Sequence, residues 1–129
     1  MFNWEDFIKL SEELLTKKPS EYEEALYRTI ISRVYYGVFK QVEDFFKDNK
    51  LEKLLDKSAT GSHNKIIKFL MNYNDKEISE FGQGLYTLKD SRIAADYHVN
   101  EDITEEFAKN MLNLAIELSS QWGHIKSKL

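Results

Sequence analysis

The sequence predicts an all-α fold, an up-and-down bundle of four or five helices, in a single domain over residues 1–129. Three observations support this prediction. Apolar residues recur every three or four positions in five segments, no segment keeps the alternation of a strand, and one proline and five glycines leave long stretches uninterrupted. With 42% hydrophobic residues, the chain can form one core of ordinary size.

The first two helices are recognised by their ends. The first is expected from about Asn3 to Lys17, since its first residue can cap it and its last suits the helix dipole. Pro19 then breaks the chain, and Ser20 begins a capping box with Glu23. The second helix is expected to run to about residue 48. Because its middle is apolar on most sides, it should be central or lie in an oligomer interface.

A charged stretch without a clear period separates the second and third helices. Residues 50–61 are therefore predicted as a loop, which can hold a helical turn around Leu51 to Leu55. Each of the three later helices is expected to start at a polar capping residue: Ser62, Asp75 and Asp102. The third helix should end near Tyr73 and the fourth near residues 97–99, where Asn100 follows.

Composition excludes several classes of protein. The absence of cysteine excludes disulfides, thiolate zinc sites and cysteine nucleophiles. The net charge of −4, with both signs mixed along the chain, excludes a broad basic face for duplex nucleic acid. No signal peptide or membrane-spanning run is evident, so a cytoplasmic protein without membrane contact is expected. None of the three histidines has the spacing of a metal site, so neither a metal nor a cofactor is expected.

The segment from Arg92 to His98 carries the clearest chemical signal. A permanent cation and a group that titrates near neutral pH can together handle a phosphate. Arg92 follows Leu88 by four residues and so continues the apolar face of the fourth helix, with Asp96 in reach as an ion-pair partner. On an ideal helix His98 points roughly 120° away from Arg92. Either the helix ends before His98, or a second copy of the chain completes the site.

A narrow polar stripe interrupts the apolar surface of the second helix. Its members are Arg28, Thr29, Ser32, Arg33 and Tyr36. A solvent-facing side and a cationic lining beside Arg92 explain the stripe about equally well. The supporting or phosphate-binding residues of such a site would be Ser32, Arg33, Tyr36, Asp96 and Tyr97. For Tyr97, a packed aromatic ring at a helix end is the simpler interpretation.

Two segments resemble those of a known family. Residues 32–39, Ser-Arg-Val-Tyr-Tyr-Gly-Val-Phe, resemble the Ser-Arg-x-Tyr-Tyr-Ala-x-Phe segment in the second helix of small prokaryotic HEPN-domain proteins. Arg92-Ile-Ala-Ala-Asp-Tyr-His98 resembles that family's Arg-x(4–6)-His motif in its Ala-Asp-Tyr-His form. His63 resembles the histidine at the start of the family's third helix, and the order of segments agrees over nearly the whole chain.

The resemblance implies a HEPN-like bundle that forms a homodimer, with the motifs of two protomers in one cleft. It implies a metal-independent endoribonuclease that cleaves RNA, often the toxin of a toxin–antitoxin pair whose partner is a nucleotidyltransferase, with Arg92 and His98 as the catalytic pair. Ile93 departs from the polar residue that active members often carry. The alternative is therefore a non-catalytic HEPN module that binds a nucleotidyltransferase or nucleotides. A helical scaffold in which Arg92 and Asp96 form a structural pair is the third hypothesis.

Overall fold

Five α-helices and one short 3-10 helix form the chain in the computed structural model, which describes residues 1–17, 21–58 and 61–129. The helices are α1 (Asp6–Thr16), α2 (Glu23–Asp48), α3 (Ser62–Met71), α4 (Lys76–Tyr97) and α5 (Glu105–Ser127), and the 3-10 helix is Leu51–Leu54. No strand occurs in these ranges. The predicted all-α bundle is confirmed. Among the described residues, no helix combines the length and the apolar character that crossing a bilayer needs.

Helix α2 is the centre of the bundle, as its apolar middle predicted. It packs against α1, α4 and α5, while α3 packs mainly on α4. Tyr35 and Phe39 are its largest fully buried side chains in the middle turns, and Phe46 is buried near its end. Burial of these large rings supplies much of the apolar area removed from water. The pairing of α2 with α4 brings the two predicted motifs together.

Several predicted helix boundaries are confirmed by hydrogen bonds. The Asp75 carboxylate accepts from the Ile78 N–H at 3.1 Å and caps α4. That helix ends at Tyr97, with His98 as its C-cap, as Asn100 suggested. The predicted turn after α2 is the 3-10 helix.

Other helix ends differ from the prediction. Thr104, not Asp102, caps α5 through its hydroxyl, which accepts from the Phe107 N–H at 3.1 Å. The physical reason is Ile103, which is 4% exposed: the chain turns into the helix only after this side chain has entered the core. Helix α3 ends at Met71, two residues before Tyr73.

The first two helices also begin later than expected. Asn3 accepts a hydrogen bond from the Glu5 N–H in a turn that precedes α1, so this helix starts at Asp6. Helix α2 starts at Glu23, after Tyr22 in the left-handed conformation at φ 61°. Pro19 and Ser20 lie outside the described residues.

Candidate functional site

Arg92 lies on the buried side of α4, where this helix packs along α2. Its side chain is 12% exposed, as its position on the apolar face predicted. The guanidinium carbon lies 5.4 Å from the ring centre of Tyr35 and 5.5 Å from that of Tyr36. Nη1 is 3.6 Å from a carboxylate oxygen of Asp96, so the predicted ion pair forms, but at long range. Two aromatic faces and one distant carboxylate therefore hold this cation.

The hydrogen-bonding groups of Arg92 are largely unused. Its Nε is buried and has no hydrogen-bond partner. Its two Nη atoms also make no hydrogen bond to any described residue. A guanidinium has five N–H donors. An unsatisfied buried donor is destabilising, and more so when it carries a charge. The fold therefore leaves one buried N–H of Arg92, at Nε, without an acceptor.

The polar stripe of α2 faces α4, and part of it joins Arg92. Ser32 is 6% exposed and donates to the carboxylate of Asp96 at 3.4 Å. Arg33 donates to the Ser32 hydroxyl at 3.3 Å, and its guanidinium carbon lies 5.0 Å from the ring centre of Tyr36. The predicted set of Ser32, Arg33, Tyr36, Arg92 and Asp96 is thus one connected cluster. The interpretation of the stripe as a solvent-facing side is wrong for these members.

The remaining members of the stripe have other roles. Thr29 is exposed and its hydroxyl donates to the Ala25 carbonyl in its own helix. Arg28 donates to four backbone carbonyls at the end of α4 and in the turn after it, at 2.6–3.3 Å: Ala94, Ala95, His98 and Glu101. Arg28 therefore caps the C-terminus of α4 from outside, and it fixes where the chain goes after the helix. No spacing of residues in the sequence predicts this contact.

His98 and Tyr97 do not join the cluster around Arg92. The His98 side chain is 49% exposed, and its Nδ1 lies 3.0 Å from a carboxylate oxygen of Glu101. Tyr97 is 68% exposed, so the simpler interpretation of Tyr97 as a packed ring is wrong. Among the described residues, the side-chain polar contacts of Arg92 and His98 share no residue. The two motif residues therefore pair with different carboxylates, Asp96 and Glu101.

His63 is a member of the cluster that the spacing of motif residues did not reveal. The Tyr35 hydroxyl and the His63 Nδ1 are 2.7 Å apart, and the imidazole stacks on Phe39 with ring centres 4.1 Å apart. The ring centre of His63 is also 6.1 Å from the ring centre of Tyr36. Tyr36 in turn contacts Arg92, so both side chains pack on the same tyrosine. Because α3 packs on α4, its first turn lies beside the motif. The resemblance at the start of the third helix was the one sequence signal for this residue.

Positive charge collects around His63. Burial lowers the pKa of His63, and the charges of Lys40, Arg92 and Lys89 add to this effect, while Glu43 opposes it. Burial and the Arg92 charge likewise lower the pKa of Lys89. Desolvation alone would raise the pKa of Glu43, but its hydrogen bond and ion pair with Lys40 at 2.8 Å hold that pKa below its usual value. The cluster therefore disfavours an additional proton on the imidazole.

The cluster has the chemistry of an anion site. Its cations and N–H donors outnumber its carboxylates, and a guanidinium group matches the oxygens of a phosphate or a carboxylate. Among the described residues, no group of three or more histidine, aspartate or glutamate side chains is arranged to hold a metal ion.

Comparison with known proteins found one similar archaeal chain. The sequence is 33% identical to "Uncharacterized protein MJ0628" of Methanocaldococcus jannaschii, in an alignment of 125 residues that covers 88% of this chain and 74% of the relative. No protein-family model and no solved structure matches the chain.

Proposed function

The chain belongs to one family with the uncharacterized protein MJ0628 of Methanocaldococcus jannaschii, and from its cluster between α2 and α4 we propose that it is a metal-independent endoribonuclease with a HEPN-like bundle. One observation carries the proposal. Arg92 is a mostly buried guanidinium that makes no hydrogen bond among the described residues. An RNA phosphate would supply the acceptors that the fold does not.

The energetics favour a ligand over a structural role for Arg92. Leaving a buried charged donor unsatisfied costs on the order of 1–3 kcal/mol or more. Such a cost is typical of functional sites, where a ligand completes the group in the bound state. Arg33 lies in the same network and adds a second cation. Two guanidinium groups suit the charge that develops on phosphoryl oxygens during cleavage.

The reaction class follows from the pairing of a cation with a group that can carry a proton. The ribose 2′-hydroxyl attacks the adjacent phosphorus, and its proton passes to a general base while the bond to the 5′-oxygen breaks and that oxygen takes up a proton. His98 of the dimeric site serves as base or acid, and Arg92 stabilises the phosphoryl oxygens. The products are a 2′,3′-cyclic phosphate and a free 5′-hydroxyl.

A homodimer accounts for the separation of the two motif residues. His98 lies in the turn after α4, between Tyr97 and Val99, which are 68% and 83% exposed. With His98 itself 49% exposed, this turn is accessible to a second chain. In a two-fold arrangement, the His98 of one chain can reach the Arg92 of the other.

The biological part of the proposal rests on the resemblance of the two motifs. On that basis the protein acts in the cytoplasm as the toxin of a toxin–antitoxin pair, and a nucleotidyltransferase is the antitoxin. Expression of the chain alone, and together with a nucleotidyltransferase encoded beside it, tests this part. Growth arrest that the partner relieves and that Arg92→Gln abolishes is the expected result.

RNA cleavage in EDTA is the direct test of the activity. We expect the wild-type protein to cleave unstructured RNA with cyclic-phosphate ends, and His98→Ala and Arg92→Gln to be inactive. His124→Ala is the matched control. His124 is also exposed, at 61%, and is paired with a glutamate, since its Nε2 lies 3.2 Å from Glu77. Equal cleavage by the His98→Ala and wild-type proteins would exclude a catalytic role for this histidine.

A mixing experiment tests whether two chains build the site. Arg92→Gln and His98→Ala are each inactive as homodimers in the proposal. Mixed dimers that hold one intact arginine and one intact histidine in the same cleft should recover part of the cleavage. A monomeric protein in solution, or mixed dimers as inactive as either parent, would contradict a shared cleft.

One contact favours the alternative, a binding module without catalysis. The imidazole of His98 is engaged by the Glu101 carboxylate at 3.0 Å, and Ile93 stands where active HEPN proteins often have a polar residue. In this alternative, Arg92 binds a nucleotide phosphate or an acidic group of the nucleotidyltransferase. Absence of cleavage by the wild type, together with nucleotide binding that Arg92→Gln abolishes, would favour it.

A further inference from the structure

His63 has one ring nitrogen that the fold leaves free to bind a ligand. Its Nδ1 is paired with the Tyr35 hydroxyl at 2.7 Å, and among the described residues Nε2 has no hydrogen-bond partner. The ring is half-buried and stacked on Phe39, with an angle of 24° between the planes. The position of the imidazole is therefore fixed, whereas one of its polar atoms is unsatisfied.

The contact with Tyr35 determines which nitrogen carries the proton. Burial raises the pKa of the Tyr35 phenol well above its usual range, so this group is a neutral O–H donor. A neutral imidazole has one acceptor nitrogen and one N–H. Among the described residues the Tyr35 O–H has no acceptor other than Nδ1, so the hydroxyl is the donor of this pair. Nδ1 is then the acceptor, and Nε2 carries the hydrogen. Nδ1 faces a buried hydroxyl, so the Nε2–H is directed away from Tyr35.

The charges around His63 keep the ring neutral and attract an anion. From α2, Lys40 and Glu43 face it, and from α4, Lys89 and Arg92. Lys40 and Glu43 neutralise each other in an ion pair at 2.8 Å. The charges of Lys89 and Arg92 then remain, opposed in part by Asp90 and by the Asp96 carboxylate 3.6 Å from Arg92.

Two hydrogen-bond donors without partners thus lie in one cluster. Arg92 and His63 both contact the rings of Tyr35 and Tyr36: the guanidinium carbon lies 5.4 and 5.5 Å from their centres, and the imidazole centre 5.8 and 6.1 Å. The two donors come from different helices: Arg92 lies in α4 and His63 in α3. A single tetrahedral anion presents several acceptor oxygens and can accept from both.

We propose that the Nε2–H of His63 is a second phosphate-contacting group beside Arg92, and that Tyr35 is the positioning residue that fixes its tautomer. The inference rests on the proposed function in one respect, that the ligand of the cluster is a phosphate group. In this role His63 donates a hydrogen bond as a neutral group, so it is neither the general base nor the general acid. Through His63, helix α3 becomes part of the proposed site, in addition to α2 and α4.

Side-chain NMR of the three histidines, titrated with inorganic phosphate, tests the proposal without requiring RNA cleavage. The expected result near neutral pH is an Nε2–H tautomer for His63, whose ring nitrogen signals move with phosphate but not with chloride at equal ionic strength. His124, which pairs with Glu77 away from the cluster, is the internal control. In Arg92→Met the response of His63 should be lost. An Nδ1–H tautomer, or a His63 signal that phosphate does not move, would overturn the proposal.

Two conservative variants separate contact from packing. His63→Phe retains a ring to stack on Phe39 but has no donor, and Tyr35→Phe retains the ring beneath Arg92 but lacks the hydroxyl. Loss of one hydrogen bond to a charged ligand should weaken phosphate binding about tenfold in His63→Phe. In Tyr35→Phe the two His63 tautomers should mix and the affinity should fall by less. Unchanged phosphate affinity in a folded His63→Phe protein would contradict the contact. RNA cleavage is measured separately. Its absence would contradict the ribonuclease proposal without contradicting phosphate binding by His63.

Discussion

Replacing Arg92 by methionine should make the protein more stable while it removes the proposed function. The side chain is 12% exposed, makes no hydrogen bond among the described residues, and has one carboxylate at 3.6 Å. Methionine has a similar length, a flexible chain and a comparable helix propensity, so it can occupy the space between the two tyrosine rings. The change therefore removes a buried charge without opening a large cavity.

The expected gain follows from three opposing terms. Replacing buried ionic groups by apolar ones of similar volume is neutral or stabilises by about 1–4 kcal/mol. Against this, the contacts with the Tyr35 and Tyr36 rings contribute about 0.5–1 kcal/mol each. The ion pair with Asp96, on one helix and partly exposed, contributes about 0.3–0.5 kcal/mol. Near the middle of these ranges, the free energy of unfolding increases by about 0.5 kcal/mol.

Arg28→Met is the matched control, because Arg28 has the hydrogen-bond partners that Arg92 lacks. Arg28 also lies between α2 and α4 and is 20% exposed, but it donates to four backbone carbonyls and pairs with Glu24. Its loss would leave the last carbonyls of α4 without these partners. Hydrogen bonds from a charged donor are worth about 1.5–3 kcal/mol each, and water can replace some of them, so a net loss of about 2–4 kcal/mol is expected.

Urea unfolding of the three proteins at equal concentration provides the assay. The midpoint should rise for Arg92→Met and fall for Arg28→Met, with the slope unchanged in both. If Arg92→Met lowered the free energy of unfolding by more than about 1 kcal/mol, Arg92 would be a structural residue, and the main support for an anion site would be lost.

Two further predictions concern packing and pH. Gly82→Ala should destabilise the protein by about 1–2 kcal/mol despite a better helix propensity, because its Cβ would lie 2.7 Å from the backbone nitrogen of Met71; Gly123→Ala, which meets nothing within 4 Å, should stabilise by up to about 1 kcal/mol, and thermal unfolding of both variants checks this. His63 has a pKa below its ordinary 6.5 in the folded protein. The unfolded chain therefore binds the proton first, and stability should fall as the pH drops below about 6.5. Unfolding curves at neutral and mildly acidic pH should show a smaller loss for His63→Phe, and an equal loss would contradict the prediction.

The helices were predictable because their signals are local. Apolar spacing and the Asp75 cap depend on residues within one or two turns of each other, and both agree with the structure. The prediction that Ser62 caps α3 is wrong, because Ser62 is the first residue of this helix and Gly61 is its N-cap. Thr104 replaced Asp102 as the cap of α5 because Ile103 is buried against other helices, which is a property of the tertiary fold. The spacing of capping residues cannot contain that information.

The cluster around Arg92 was predictable only in part, for a similar reason. Residues that share a helix face, such as Ser32 and Tyr36, or Arg92 and Asp96, follow from helical geometry. His63 enters the cluster from a third helix, across the packing of α3 on α4. Its partner Tyr35 is a buried residue of α2, and its hydroxyl gives the imidazole a defined tautomer. No spacing in the sequence relates these two residues, which are 28 positions apart.

The position of His98 illustrates why the spacing of a motif is a poor guide to its geometry. Helical phase predicts directions only as far as the helix extends, and α4 ends one residue before the imidazole. Beyond that point the path of the chain is set by Arg28, which donates to the carbonyls of His98 and Glu101 from α2. The distance between the two motif residues is thus determined by a third side chain that lies 64 positions before Arg92 in sequence (92 − 28). A substitution at Arg28 should therefore alter any activity that needs His98, even though the donors of Arg28 itself are occupied by backbone carbonyls and Glu24.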